Sequence, residues 1–419
     1  MTATWVIEPR HGFFAKDARG WFAGAGYQAN SLTWILPTTL RGALCTAIGR
    51  ELEAAQQTVF APAQWIRLKS ELHLDRVLAV RAAVGKDFST SDRMWPAPAD
   101  AVFLAGDSRP TALVVKTPEV TFWDRHDDPA LARLELLAID EASSAADAKP
   151  QSGPGWWTET EFVAWLAGKP QGGPDPCRAR SRRTVSRTDV HVKMDNATET
   201  ADPGLLWTQE FRETLTPRSD AKGAALDRWA FAVSFRLLDQ KAQQVRPTVA
   251  TIAGDRHLAS IDPSKPLDTV PANLQADIAA AGPLRRIRLY AVTPTLFENG
   301  WYPDGFVLAG DRLIGQLPGL PDIPVRLVTA AVARPVPISG WDRAASSPRA
   351  HSTHQDGGGI ARSTRLACPA GSTWVLEKCD GQNFTPEEVV SLWLKQWGQD
   401  QADGLGLLVA GRDHASATR

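Results

Sequence analysis

Cysteine is scarce in this chain: Cys45, Cys177, Cys368 and Cys379 are the four in 419 residues, and no two stand in a Cys-x-x-Cys pair. Sites so few and so scattered exclude a disulfide framework and argue against structural zinc; free thiols in a reducing cytoplasm are expected. Net charge is also nearly absent, at −1. A protein that holds nucleic acid through bulk charge is more basic, so any grip on phosphate has to come from a local patch. No apolar run approaches the ~20 residues that span a bilayer, and the N-terminal MTATWVIEPRHG lacks the basic-then-apolar layout of a signal peptide. The common catalytic signatures are missing too: no phosphate-binding Gly-x-x-x-x-Gly-Lys, no Gly-x-Ser-x-Gly, no His-Glu-x-x-His.

What is present is ordinary in amount, 43% hydrophobic and 22% charged, with length enough for two or three domains. A short apolar strand is expected at residues 4–9, followed by a loop rich in glycine and aromatics. Leu40, Leu44, Ile48 and Leu52 recur every four residues and predict a helix over 40–56, with Thr38 or Thr39 as its N-cap. Residues 61–104 read as mixed short elements. Flexible connectors are expected at 143–155 and 168–176, either side of a short helix at 159–167. Strands are expected at 228–238, 284–295, 325–339, 371–378 and 407–409, a tight turn at 252–257 and a helix at 386–397. Residues 344–363, polar and glycine-rich, are expected to be mobile when unbound. The sum is an α+β chain of two units meeting near Gly282, each in strand–helix–strand–strand–helix–strand order.

The charge is unevenly spread. Between residues 177 and 193 stand six cations, Arg178, Arg180, Arg182, Arg183, Arg187 and Lys193, against Asp189 alone. The chain then alternates, with Val190, Val192 and Met194 on one side and Asp189, His191 and Lys193 on the other, the pattern of a half-buried strand. Asp195-Asn196 and Asp202-Pro203-Gly204 supply turn chemistry before a second alternating run through Leu205, Trp207 and Phe211. This spacing predicts a long β-hairpin with a basic stem, a shape that can lie along a phosphate backbone. Composition alone equally allows a solvated hairpin whose arginines keep it soluble.

Several stretches, taken in order, resemble a known family. They are residues 5–9, Pro37-Thr38-Thr39-Leu40-Arg41-Gly42-Ala43-Leu44, the hairpin from Val190 to Trp207, and residues 289–303. Pro337-Ile338-Ser339-Gly340-Trp341-Asp342, Pro369-Ala370-Gly371-Ser372 and Gly404-Leu405-Gly406-Leu407-Leu408-Val409-Ala410-Gly411 complete the set. Together they are similar to the RAMP-superfamily subunit of type III-B CRISPR (Cmr) effector complexes that holds the 5′ handle of CRISPR RNA. The resemblance implies two tandem ferredoxin-like (RRM-like) RAMP domains, residues 1–283 and 284–419, with a β-hairpin thumb over about 185–212. It implies a non-catalytic subunit without a cofactor that clamps the handle and caps the backbone filament in antiviral defence. Implied partners are CRISPR RNA, the large polymerase/cyclase-like subunit, the first backbone subunit and, indirectly, target RNA, with no membrane. Two stretches depart from the family wording: Ala253-Gly254-Asp255-Arg256-His257, and Lys16-Asp17-Ala18-Arg19-Gly20.

Single-stranded RNA is held by cations along its phosphates and by flat or apolar side chains against its splayed bases. The residues proposed for those roles are Arg41, Arg178, Arg180, Arg182, Arg183, Arg187, His191, Lys193, Met194, Arg256 and His257. Met194 near the hairpin tip is either a wedge between bases or a packing residue. Gly404, Gly406 and Gly411 either bring backbone amides to phosphate or flank a strand as turn residues. Most of the 16 tryptophans, Trp34, Trp229, Trp374 and Trp393 among them, are expected in the core. The alternative reading is a metal-independent endoribonuclease, for which His11, His191 and His257 are the candidate acid–base groups. His351-x-x-His354 with Asp356 lies in a glycine-rich segment without fixed geometry, so no metal is expected there.

Overall fold

The computed structural model describes residues 2–16, 27–117, 134–140, 148–175, 184–218, 225–238, 245–310, 312–342 and 360–414. Period-two runs of aromatic and β-branched residues build two large antiparallel sheets. The first half supplies β1 (Thr2–Pro9), β2 (Tyr27–Ala29), α1 (Pro37–Gln56), α2 (Pro62–Glu71), β3 (Leu72–Ala83), β4 (Arg93–Pro96), β5 (Trp156–Thr158) and α3 (Glu159–Leu166). It continues with β6 (Val185–Asp195), β7 (Thr200–Glu213), β8 (Leu226–Leu237), β9 (Val249–Ile252) and β10 (His257–Pro263). The first sheet runs β5-β4-β3-β8-β1-β10-β9.

Its central strands β1, β3 and β8 are largely buried on both faces, and alternation decides what each face meets. Trp5 and Ile7 of β1, with Phe231, Val233 and Phe235 of β8, join Leu40, Leu44, Ile48 and Leu52 of α1. Val6, Ala230, Ala232, Leu78 and Val80 point the other way, into a second core. Helix α1 starts at Pro37, whose fixed φ suits a first helical position, and its N-cap is Leu36 without a side-chain cap. Neither Thr38 nor Thr39 caps it, a correction to the expectation. Where mixed short elements were expected, the chain forms α2 and β3, a strand of 12 residues.

The second half adds α4 (Leu274–Ala280), β11 (Arg286–Ala291), β12 (Val307–Ala309), β13 (Arg312–Leu317), β14 (Leu320–Ala331), β15 (Thr373–Lys378), α5 (Pro386–Ser391), β16 (Lys395–Gln396) and β17 (Leu407–Arg412). Its sheet runs β12-β13-β14-β15-β11-β17-β16. The four central strands of the two sheets share a pattern, β10-β1-β8-β3 and β17-β11-β15-β14, antiparallel throughout. The expected strand–helix–strand–strand–helix–strand order is met in part. Among the described residues the first sheet has its first crossover helix, α1, but none between β8 and β10. The second has α5 before β17, while β12 and β13 stand where a first helix would.

The sheets separate in sequence near Gly282, yet they share a core: Val6, Leu78 and Trp95 belong to the same cluster as Ile287, Leu289, Trp374 and Val409. Backbone bonds cross as well, from Ala99 N–H to the Gly371 carbonyl (2.8 Å) and from Glu135 N–H to Val328 (3.0 Å). The expected connectors are tied down where described. Pro150 and Gln151 pair with Leu104 and Phe103, and Pro170–Gly172 forms a 3-10 turn. The expected helix at 386–397 stops at Ser391, because Leu392, Trp393 and Leu394 turn into the core. The strand expected to reach Ser339 ends at Ala331, and Val336–Ile338 pairs instead with Arg365–Ala367. No described helix is long and apolar enough to cross a membrane.

Candidate nucleic-acid interface

The hairpin expected from the alternation is there. β6 and β7 pair from Val185 opposite Glu213 to Val192 opposite Leu206, and again at Met194–Ala201 and Asp195–Thr200. The turn between them is Asn196–Glu199, held by Ala197 N–H on Asp195 Oδ1 and Glu199 N–H on the Asp195 carbonyl, both 2.8 Å. Asp202-Pro203-Gly204 is therefore not the turn. It lies in β7, where the pairing register shifts between Val192 and Met194 of β6.

The register sorts the side chains. On one face, Arg187 stands opposite Phe211, Asp189 opposite Gln209 and His191 opposite Trp207. This face roots the ribbon: Phe211, 3% exposed, clusters with Phe14 and Ala29, and β2 adds to β7 in parallel along Trp207–Gln209. On the other face stand Val190 opposite Thr208 and Val192 opposite Leu206. The expected half-burial of Val190, Val192 and Met194 fails, since they are 66%, 44% and 48% exposed, and Leu206 is 51% exposed. Alternation identified an apolar face without revealing that it stays exposed among the described residues.

Among the predicted contacts, Arg187 donates to both oxygens of Asp189 (2.8 and 3.0 Å) and to Glu213 (2.6 Å), and lies over the Phe211 ring at 5.2 Å. Hydrogen bonding to Asp189 raises its pKa above the ordinary value. Lys193 donates to Asp202 at 2.8 Å. His191 stacks on Trp207, 5.5 Å between ring centroids and 11° between planes. His257 meets Phe211 edge-on at 5.0 Å, beside an exposed Arg256 in the left-handed region (φ 52°). The fold thus gathers Arg187 and His257 around Phe211.

Other predicted residues are placed inside the protein. Arg41, 9% exposed, donates to the carbonyls of Leu72 (2.8 Å) and Lys69 (2.5 Å) and pairs with Asp403. It ties α1 to the second half instead of offering a surface cation. The three C-terminal glycines are explained by packing. A Cβ on Gly404 (φ 83°) would stand 3.1 Å from Pro37 and Val77, and one on Gly406 (φ 74°) 1.9 Å from the Trp397 carbonyl oxygen. One on Gly411 would fall 2.7 Å from the Leu166 backbone. Arg178, Arg180, Arg182, Arg183, His351 and His354 lie outside the described residues. Among the described residues, no group of three or more histidine, cysteine, aspartate or glutamate side chains could hold a metal.

Sequence reasoning missed a cavity of about 660 Å3 at the ribbon's root, between the two halves. Trp34, Trp156, Met94, Thr184, Arg212 and Pro294 are among its walls. Trp34 was expected in the core but is only half-buried, whereas Trp229 and Trp374 are fully buried as expected. Arg212 donates to the Ser31 carbonyl (3.2 Å) and pairs with Glu210 (3.1 Å), while its Nε is buried without a partner among the described residues.

The family model for CRISPR-associated protein (Cas_Cmr3) matches residues 5–413. Two solved structures are similar at low identity. One is the cryo-EM structure of the type III-B Cmr-beta bound to cognate target RNA and AMPPnP, state 1, at TM-score 0.40 and 9% identity, covering 89% of this chain and 86% of that one. The other is type III-B Cmr-beta bound to cognate target RNA, at TM-score 0.42 and 10% identity, covering 90% and 86%. No curated protein matches the chain.

Proposed function

This chain belongs to the Cas_Cmr3 family of CRISPR-associated proteins, and from that premise we propose that it is the non-catalytic RNA-binding subunit of a type III-B Cmr effector complex. On this reading it clamps the 5′ handle of CRISPR RNA and caps the backbone filament, against the large polymerase/cyclase-like subunit and the first backbone subunit, in cytoplasmic antiviral defence. The two sheets are then tandem ferredoxin-like RAMP domains, each short of one helix among the described residues, and β6–β7 is the thumb.

The observation that carries this reading is the ribbon. It holds Val190, Val192, Leu206 and Met194 out in water, directly after the arginine run at 178–183. Exposed apolar side chains in a row favour a partner that removes them from water. Splayed bases provide one, and Met194 beside the turn suits a wedge between them. The pairs Arg187–Asp189 and Lys193–Asp202 are solvent-exposed and contribute little to stability, so their cations can exchange carboxylate for phosphate at small cost. Arg41, Gly404 and Gly411 become positioning residues that seat one half against the other, and Gly406 one that lets the chain pass the Trp397 carbonyl.

The test is binding in the reconstituted complex with the native or a scrambled 5′ handle. Preference for the native handle is expected, and equal affinity for both overturns the clamp. Reversing the charge of Arg180, Arg182 and Arg183 is expected to flatten the salt dependence of binding, by about one unit of slope per lost phosphate contact. Incubation with precursor CRISPR RNA in EDTA is expected to yield no site-specific cut. A cut abolished by His191→Ala would install the endoribonuclease reading instead.

A further inference from the structure

We infer that the cavity lined by Trp34 and Trp156 is a nucleobase pocket, which takes one base flipped out of the CRISPR RNA handle as the strand passes the ribbon's root. This rests on the RNA-binding reading above and adds to it a site that the ribbon itself does not contain.

The cavity lies where such a base would arrive. Thr184 immediately precedes β6, Arg212 is near the end of β7, and Val292–Pro294 of the second half close the far side. Its volume, about 660 Å3, falls within the range of small-molecule sites. Its chemistry fits a nucleotide better than an aliphatic ligand. Trp34, Trp156 and buried Trp229 form a triangle with centroids 5.1–5.8 Å apart and planes inclined at 62–63°, so no two are stacked. Trp95 and Phe162 in the core, by contrast, stack at 12° and satisfy one another's faces. Trp34 and Trp156 remain half-buried and line open space, where an indole face can receive a base.

Polar groups are few and suitably placed. Thr33, Thr184 and Ser152 bring hydroxyls to the wall, and Arg212 is the one charged residue lining the cavity among the described residues. Glu210 partly counters that charge. A guanidinium at the wall can donate to a base carbonyl or ring nitrogen, which an aliphatic ligand does not offer.

The experiment uses the full chain in the reconstituted complex, with 2-aminopurine placed at one handle position at a time and, separately, along target RNA. One handle position is expected to be quenched by the indole. Trp156→Ala and Trp156→Leu should relieve that quench at that position alone, with affinity falling on the order of tenfold. Trp156→Phe should retain most of it. Leucine fills the packing space without a flat ring, so a folding defect, read from the melting temperature, is separated from lost stacking. RNA that binds with no position responding to Trp156→Leu overturns the pocket and leaves the clamp standing. A response confined to labelled target RNA overturns the handle as the source, and a parent chain that binds no RNA overturns both proposals.

Discussion

Arg288 is fully buried, and its guanidinium is held by Asp100 Oδ2 at 2.5 Å, Asp413 Oδ1 at 2.6 and 2.8 Å and the Leu113 carbonyl at 2.7 Å. Asp413 still faces Arg288 when Asp100 is removed, so what is lost is one charge-assisted hydrogen bond to a fully buried carboxylate. Asp100→Ala should therefore cost about 1.5–3 kcal/mol, measured by urea unfolding. Beside this cluster His414 packs on Trp165, ring centroids 4.4 Å apart, with both ring nitrogens unpartnered among the described residues. Burial, with Arg288 nearby, pushes its pKa well below 6.5. The folded protein keeps this imidazole neutral while the unfolded chain takes up a proton as pH falls. Its contribution is thus complete above the unfolded value and lost below it, at up to about 1.4 kcal/mol per pH unit. Urea midpoints at pH 7.5 and 5.5 should differ less in His414→Phe than in the parent. Cys368 is a third buried titratable group, its thiol pushed up to about 12 by desolvation. Iodoacetamide at pH 8 should leave it unmodified until urea unfolds the chain, as peptide mapping would show.

Elements meet in this fold through small residues at close approaches. Helix α3 crosses β17 at Gly411, where an added methyl would stand 2.7 Å from the Leu166 Cα and carbonyl oxygen. Since backbone must move to admit it, Gly411→Ala should destabilise by about 1–3 kcal/mol and lower the urea midpoint. The ribbon behaves in the opposite way. Val190 and Leu206 are exposed, so threonine at both should change stability by no more than about 0.5 kcal/mol. On the proposed clamp, retention of CRISPR RNA by the complex should nonetheless fall, because that surface would be covered by the partner. A matching loss of stability would show that the ribbon face is packed within the subunit.

At the scale of the molecule, one core joins both sheets. Trp95, Trp157, Phe162 and Trp165 of the first half pack with Ile287, Leu289, Trp374 and Val409 of the second. Division at residue 283 would expose that whole surface on each fragment, so residues 1–283 and 284–419 expressed apart should aggregate or remain unfolded. The intact chain should unfold in one transition, with fluorescence and circular dichroism curves superimposed. Two separated transitions would show that the sheets are energetically independent.

Much of the fold was legible because local periodicity suffices for it. The four-residue recurrence from Leu40 to Leu52 marks α1, a short apolar run marks β1, period two marks β8 and both ribbon strands, and the position of the hairpin follows from its two alternating runs. Partnership was not legible, because it depends on residues distant in the chain. Arg41 meets Asp403 across 362 positions, so nothing near Arg41 distinguishes a surface cation from an internal tie. Trp34 and Trp229 read alike in sequence, but only Trp229 is closed over by the sheet, while Trp34 is left at a cavity. A two-residue repeat says that the sides of a strand differ in polarity; whether protein, water or another molecule lies against each side is decided only when the sheets come together.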